Sequence, residues 1–280
     1  MKNILLPTDF SDNSWNAIKY AVELYKDVEC TFHLFNAYTP VIYHVEYVLI
    51  NPAQFGLGDS VRDGAQEGLV KLNTRILEEF GDNSNHKFER TARFDTLVSG
   101  IKELIVERHI DLIVMGTKGA TGAKGVLFGS NTVQVFKEIK CPILAIPSNY
   151  GYEAPHEILF PTDLEVNYHT SHLHLLLEIA VSHHARVNAM HVSTGYELTE
   201  EQQNNKQQLE TMFNCAAFLY HDVRDMEIVD AINEFQIKHK INLLAMINNK
   251  HSFFENLFFK NTINQIGFNL SVPFLVIPSK

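Results

Sequence analysis

The chain carries the same pattern twice, and this internal repeat limits its fold more than any other feature of the sequence. The stretch "NILLPTDFSDNS" (residues 3–14) aligns with "EILFPTDLEVNY" (157–168), which places two Pro-Thr-Asp triplets 154 positions apart. Residues 99–116 align with residues 230–247 at an offset of 131, and the same offset carries "CPILAIPS" onto "VPFLVIPS" near the end of the chain. Two ungapped matches of this kind indicate a tandem duplication.

The first copy is longer than the second. The offset falls from 155 at Ala37 and Val192 to 131 at Ile101 and Ile232, so the first copy carries about two dozen additional residues. The additional segment lies between residues 38 and 60; it is aromatic, apolar and interrupted by proline and glycine. A flap over a site, a docking surface and a simple loop insertion all agree with this composition.

Within each copy, short apolar runs alternate with amphipathic stretches. The runs are "NILLP", "TFHLFNA", "FERTARF", "DLIVMG" and "PILAIP" in the first copy, and "EILFP", "RVNAMHV", "FLYHDV", "NLLAMI" and "PFLVIP" in the second. Helices are predicted in the first copy near residues 12–27, 60–80, 95–108 and 130–139. This alternation predicts βαβ units with a parallel sheet, the α/β class. The polar segment "SNYGYEAP" separates the copies, so we expect domains at 1–148 and 156–280.

Charge and composition argue against several classes of partner and location. The net charge of −10 argues against nucleic acid or an anionic membrane surface as partner. The three cysteines, Cys30, Cys141 and Cys215, show neither zinc nor disulfide spacing, which is typical of a reducing compartment. No apolar run reaches the length of a membrane span or a signal peptide, so a cytoplasmic location is expected.

A glycine-rich stretch, "MGTKGATGAKGVLFGSNT" (residues 115–132), follows the fourth predicted strand of the first copy. Glycine loses more conformational freedom on folding than other residues, so this cluster needs a reason. Close approach of backbone N–H groups to an anion is one reason, and a mobile surface loop is the other. The stretch matches neither the Walker P-loop nor the dinucleotide-binding fingerprint.

The spacing Gly116-x2-Gly119-x9-Gly129-Ser130 resembles the ATP-binding signature of the universal stress protein family. The opening "LLPTDFSDNS" is similar to the first strand and turn of that family, and tandem copies occur in it. The resemblance implies two flavodoxin-like, Rossmann-like domains with helices on both faces of each sheet. It implies the strand order 3-2-1-4-5, which opens a crevice at the carboxyl ends of strands 1 and 4.

The same resemblance implies a set of ATP-binding residues in the first copy. Gly116 and Gly119 would let the backbone approach ribose and phosphate, and Asp9 would face the phosphates through Mg²⁺. The β- and γ-phosphates would bind Gly129, Ser130, Asn131 and Thr132, and the adenosine would lie along Thr8, Ala37 and Met115. Taken alone, Ser130 also fits a helix N-cap and Asp9 a turn residue.

The second copy departs from this signature. Ile247, Lys250, Lys260 and Asn261 stand where the first copy has Gly116, Gly119, Gly129 and Ser130. Side chains with a Cβ occupy the space that a tight phosphate loop leaves open. We therefore expect the second nucleotide site to be lost.

Three functions agree with these patterns. The first is a nucleotide-responsive stress-protective or regulatory protein that binds ATP in its N-terminal copy and acts on an unknown regulatory partner. The second is a slow ATPase or nucleotidyl-transfer enzyme on the same fold, although no general base is evident in the motif. The third is an interaction module without a nucleotide. In each case the edge strands "CPILAIP" and "VPFLVIP" need partners, which predicts an intramolecular pseudo-dimer of the two copies, with a homodimer as a further option.

Overall fold

The computed structural model describes residues 1–38, 57–118, 128–166, 168, 173–193, 195, 197–248 and 270–278. Contacts divide the chain into two units, Met1–Cys141 and Pro142–Lys280. Of the additional segment between residues 38 and 60, residues 39–56 lie outside the described residues. None of the helices in the described ranges is long and apolar enough to cross a bilayer.

Strands and helices alternate along the first unit, as the apolar runs predict. Its elements are β1 (Lys2–Pro7), α1 (Asp12–Leu24), β2 (Cys30–Tyr38), α2 (Leu57–Phe80), β3 (His86–Phe94), α3 (Leu97–Arg108), β4 (Leu112–Gly116) and α4 (Ser130–Glu138).

The second unit continues the same alternation. Its elements are β5 (Ile143–Ile146), β6 (Glu157–Pro161), α5 (His174–Ser182), β7 (Arg186–Ser193), α6 (Glu200–Met212), β8 (Ala217–Arg224), α7 (Ile228–Lys238), β9 (Leu243–Asn248) and β10 (Phe274–Pro278).

The sheet of the first unit has the order β3-β2-β1-β4, with parallel pairing throughout. Pro7 at the end of β1 lies opposite Phe35, so β2 runs three residues beyond β1 to Tyr38. β1 and β4 lie in the middle of the order and are almost completely buried. Parallel strands covered on both faces require such continuous apolar sequences, which explains why "ILLP" and "LIVM" lack polar alternation.

The second unit contains the order β8-β7-β6-β9-β10, again parallel, which is 3-2-1-4-5 when the strands are counted within the repeat. The predicted fold class is therefore confirmed. β5, the last strand of the first repeat, belongs to the second unit and pairs antiparallel with β10, where Phe274 lies opposite Ala145. This ladder supplies the backbone partners that both apolar strands need.

The strand order decides where a ligand site can form in the first unit. β1 connects through α1 to β2 on one side, whereas β4 lies on the other side of β1. The chain therefore reverses direction across the sheet between β1 and β4. Open α/β sheets bind ligands at such a point, outside the carboxyl ends of the strands.

Candidate functional site

A cavity of about 660 Å³ opens at the carboxyl ends of β1, β2 and β4 in the first unit. The turn after β1, the end of β2, the start of α3, the end of β4 and the first turns of α4 form its walls. The lining residues are Pro7, Thr8, Asp9, Ser14, Asn36, Ala37, Asp95, Thr96, Leu97, Val98, Ser99, Lys102, Met115, Gly116, Lys118, Asn131, Thr132, Gln134 and Glu138.

The turn between β1 and α1 is held by side-chain hydrogen bonds to its own backbone. The Thr8 hydroxyl accepts from the N–H of Phe10 (3.0 Å) and is hydrogen bonded to the Ser14 hydroxyl (3.0 Å). Asp9 Oδ1 accepts from the N–H of Ser11 (3.1 Å) and from the Ser11 hydroxyl. These bonds hold Phe10 at a φ of 63°, and they place the exposed Asp9 carboxylate at the mouth of the cavity.

The end of β2 contributes a residue that the sequence analysis did not select. Asn36 is buried, and its Nδ2 donates to the backbone carbonyl of Thr8 across 2.8 Å. This bond joins β2 to the turn after β1 and so fixes the floor of the cavity. Ala37 follows it and lines the cavity as expected. The only signal in the sequence is one amide side chain at the end of the apolar run "TFHLFNA".

The first turn of α4 faces the cavity. Gly129 is the N-cap residue, with no side-chain cap, and its N–H donates to the carbonyl of Thr117 (2.8 Å). The Thr132 hydroxyl donates to the carbonyls of Gly116 (3.1 Å) and Thr117 (3.2 Å), which attaches the helix to the end of β4. Asn131 and Thr132 line the cavity. The N–H groups of a first turn have no partner within the helix, so this end attracts anions.

Packing against α1 gives a second reason for a glycine at position 116, besides the expected approach of the backbone to a ligand. A Cβ built on Gly116 would lie 3.0 Å from the carbonyl oxygen of Asn13 and 3.2 Å from its carbonyl carbon. The glycine therefore lets α1 lie close against the end of β4. Ser130 begins α4 but is not among the residues that line the cavity, and Gly119 lies outside the described residues.

The start of α3 forms a wall that the sequence analysis missed. Thr96 caps α3 by accepting from the N–H of Ser99 (3.3 Å), and Asp95 precedes it at the cavity. Lys102 Nζ lies 2.7 Å from Glu138 Oε2, and this ion pair joins α3 to α4. All parallel strands end at the same edge of the sheet, so the turn after β3 also reaches the crevice. The Asp-Thr pair after the third apolar run is the signal that could have located it.

The charges of the lining residues are mixed. Asp9 and Asp95 lie at the cavity with Lys118, whereas Lys102 and Glu138 neutralise each other. Among the described residues, no group of three or more His, Cys, Asp or Glu side chains could hold a metal ion. Mg²⁺ normally takes one or two carboxylates and completes its shell with phosphate oxygens and water, so this set of residues fits a metal that arrives with a phosphate ligand.

The second unit has a smaller crevice at the corresponding place, of about 230 Å³. The Pro-Thr-Asp turn is retained there: the Leu164 N–H donates to the Thr162 hydroxyl, and the Glu165 N–H to Asp163 Oδ1, each at 3.1 Å. The positions that replace Gly119, Gly129 and Ser130 in this copy lie outside the described residues. Loss of the second nucleotide site therefore stays a prediction.

Comparisons with known proteins agree with the resemblance. The model of the Universal stress protein family matches residues 1–147. A universal stress protein of Methanocaldococcus jannaschii is 29% identical over 148 residues, which cover 52% of this chain and 81% of that protein. Universal stress protein E of Escherichia coli K12 is 25% identical over 144 residues, 50% of this chain and 42% of its own length.

One solved structure resembles the whole chain. A universal stress protein from Archaeoglobus fulgidus superposes with a TM-score of 0.69 over 98% of this chain and 95% of its own, at 18% identity. At that identity the likeness extends the shared fold to both repeats and carries no conclusion about ligands.

Proposed function

The chain belongs to the universal stress protein family, and from this we propose that its N-terminal unit binds ATP with Mg²⁺. We propose that the bound nucleotide makes it a stress-protective or regulatory protein that acts through a protein partner. The observation that carries the proposal is the cavity between β1 and β4, where the strand order reverses. The first turn of α4 lines this cavity. Its volume of about 660 Å³ lies within the range of small-molecule sites, roughly 300–1,000 Å³.

The phosphates would bind at the start of α4. Backbone N–H groups of Ser130 and Asn131 are available there because a helix cannot satisfy its own first turn. Gly129 precedes them without a Cβ, and Lys118 adds a positive charge at the same wall. The Thr132 hydroxyl already donates to the carbonyls of Gly116 and Thr117. Its contribution would be to hold the helix in place rather than to donate to a phosphate.

Asp9 would be the metal-binding residue. One of its oxygens belongs to the turn with Ser11, which fixes the carboxylate at the mouth of the cavity. Mg²⁺ would reduce the repulsion between this carboxylate and the phosphates.

The adenosine would lie along Thr8, Ala37 and Met115, which all line the cavity. Asn36 would position Thr8 through the bond to its carbonyl. Gly119 belongs to the proposed loop by its spacing in the sequence.

Calorimetric titration of the full chain with Mg-ATP tests the proposal. Gly119→Val should abolish binding, because a β-branched side chain fills the space next to the phosphates. Gly122→Val is the matched control, since it changes the same stretch outside the signature spacing and should leave the affinity unchanged. Absence of heat at millimolar Mg-ATP, or equal effects of the two variants, would contradict the proposal.

The protein should hold ATP rather than consume it. Fast phosphoryl transfer needs groups that stabilise charge on the γ-phosphate and a nucleophile placed in line. The described residues of the cavity wall include no arginine or histidine, and Lys102 is paired with Glu138. We expect phosphate release far below the typical enzyme rate of about 10 s⁻¹. Release at that rate, abolished by Asp9→Ala, would favour the ATPase alternative.

A further inference from the structure

The smaller crevice of the second unit differs in chemistry from the cavity of the first. It opens at the carboxyl ends of β6 and β7, beside the start of α6 and α7. Its volume of about 230 Å³ corresponds to the space of about seven or eight water molecules. The lining residues are Pro161, Thr162, Asp163, Glu165, Met190, His191, Val192, Glu197, Leu198, Gln202 and Ile228.

His191 is the central feature of this crevice. It occupies the repeat position of Asn36, is only 8% exposed, and its Nδ1 lies 3.0 Å from the Thr162 carbonyl oxygen. A carbonyl only accepts, so Nδ1 carries a proton, and in the neutral form of the ring the lone pair is on Nε2. No residue in the described ranges is hydrogen bonded to Nε2. An acceptor on a side chain that lines the crevice is therefore open to a donor from outside the chain.

The charged side chains among the described residues that line the crevice have one sign. Asp163, Glu165 and Glu197 line the crevice, and no lysine or arginine stands among its described lining residues. None of these three carboxylates forms an ion pair with any residue that the structure describes. These three carboxylates repel a phosphate and attract a cation.

The remaining polar side chains of the crevice are already engaged. Gln202 donates to the carbonyl of Asp163 (3.1 Å) and accepts from the N–H of Thr199 (3.1 Å). The Thr162 hydroxyl is hydrogen bonded to the Tyr168 hydroxyl and accepts from the N–H of Leu164. The rest of the wall is apolar and is formed by Met190, Val192, Leu198 and Ile228.

We propose that this crevice binds a small organic ammonium ion, with one primary ammonium group and a short aliphatic chain. The ammonium donates to His191 Nε2 and is neutralised by the acidic rim, while the aliphatic chain lies against the apolar wall. An ammonium presents three donors and no acceptor, which matches a site that offers acceptors and negative charge. This inference does not depend on ATP binding in the first unit.

Each crevice contains one methionine, which allows the two sites to be observed separately in the full chain. Met115 lines the first and Met190 the second. The protein labelled with ¹³C at the methionine methyl groups is titrated by NMR at pH 7.5 with isopentylamine, isopentyl alcohol or isovalerate. The amine should shift the Met190 signal and leave Met115 unchanged. The alcohol should bind at least about tenfold more weakly than the amine, since it lacks the charge-assisted hydrogen bonds. Isovalerate should not bind.

Three variants complete the test. His191→Asn keeps a donor for the Thr162 carbonyl, as Asn36 does for Thr8, but removes the Nε2 acceptor, so the amine should bind about tenfold more weakly. Glu197→Gln should weaken it by about threefold, as suits an exposed carboxylate. Glu234→Gln makes the same charge change on α7 outside the crevice and should have no effect.

The proposal is overturned if the alcohol shifts Met190 as strongly as the amine, if His191→Asn leaves amine binding unchanged, or if no probe shifts Met190. Mg-ATP added to the same sample should shift Met115. Failure of that shift would count against ATP binding alone, because the amine result is read at Met190.

Discussion

Asn36→Leu should lower the stability of the first unit by about 1–3 kcal/mol. The Asn36 side chain is 8% exposed, and its Nδ2 donates to the carbonyl of Thr8, also buried, across 2.8 Å. Leucine has a similar size but no donor, so the Thr8 carbonyl loses this partner, and both residues are almost completely buried. The expected magnitude is the cost of leaving a buried acceptor without its bond, rather than the smaller net value of an average hydrogen bond.

Asn36→His is the matched control, because the second unit contains the same bond with this residue. His191 Nδ1 lies 3.0 Å from the Thr162 carbonyl oxygen at the equivalent position. The additional ring atoms of a histidine at 36 can extend into the cavity that Asn36 lines. We therefore expect a loss of less than about 1 kcal/mol for Asn36→His.

Urea unfolding followed by tryptophan fluorescence measures this difference. Trp15 is the only tryptophan of the chain, lies in α1 and is 5% exposed, so its emission reports the first unit. With a slope of about 2 kcal/mol per molar urea, Asn36→Leu should move the midpoint down by about 0.5–1.5 M. An unchanged midpoint for Asn36→Leu, or the same decrease for Asn36→His, would refute the role of this bond.

Gly116→Ala should destabilise the first unit by about 1–3 kcal/mol, because its Cβ would meet the Asn13 carbonyl oxygen at 3.0 Å and force α1 outward. The same fluorescence assay measures it, and wild-type stability would show that the helix adjusts without cost. Only one of the three thiols should react rapidly with a disulfide reagent, since Cys215 is exposed whereas Cys30 and Cys141 are buried, and burial raises the pKa of Cys141 to about 12. Cys215→Ser should remove the rapid phase, and a second rapid thiol in the native protein would contradict the burial of the other two.

Much of the fold could be predicted because each element carries its own local signal. The stretches predicted as helices at 60–80, 95–108 and 130–139 correspond to Leu57–Phe80, Leu97–Arg108 and Ser130–Glu138. These helices depend on periodicity and on turn residues that lie close together in the sequence. The strand order was implied by the family resemblance, and it is complete in the second unit.

The site could be predicted only in part, because several of its walls depend on distant contacts. Asn36 acts on a carbonyl 28 residues away, and nothing near it in the sequence indicates that partner. The wall at the start of α3 reaches the cavity only because parallel strands end together. Gly116 was predicted because the backbone there would approach a ligand. A Cβ built on this residue would instead face Asn13, and this contact depends on how α1 packs in the folded unit.

The retained Pro-Thr-Asp turn shows what the two crevices share and where they diverge. In both units the threonine hydroxyl accepts from the N–H of the residue two positions later. That donor residue has a positive φ, 63° at Phe10 and 60° at Leu164. This turn therefore belongs to the fold and does not by itself select a ligand. Under the two proposals, the ligand is selected by the residues around this turn. These are Lys118 and a glycine-capped helix end beside Asp9 and Asp95 in the first unit, and a histidine acceptor with three carboxylates in the second. Under the two proposals made above, the duplicated chain keeps a crevice for an anion in one unit and has a crevice for a cation in the other.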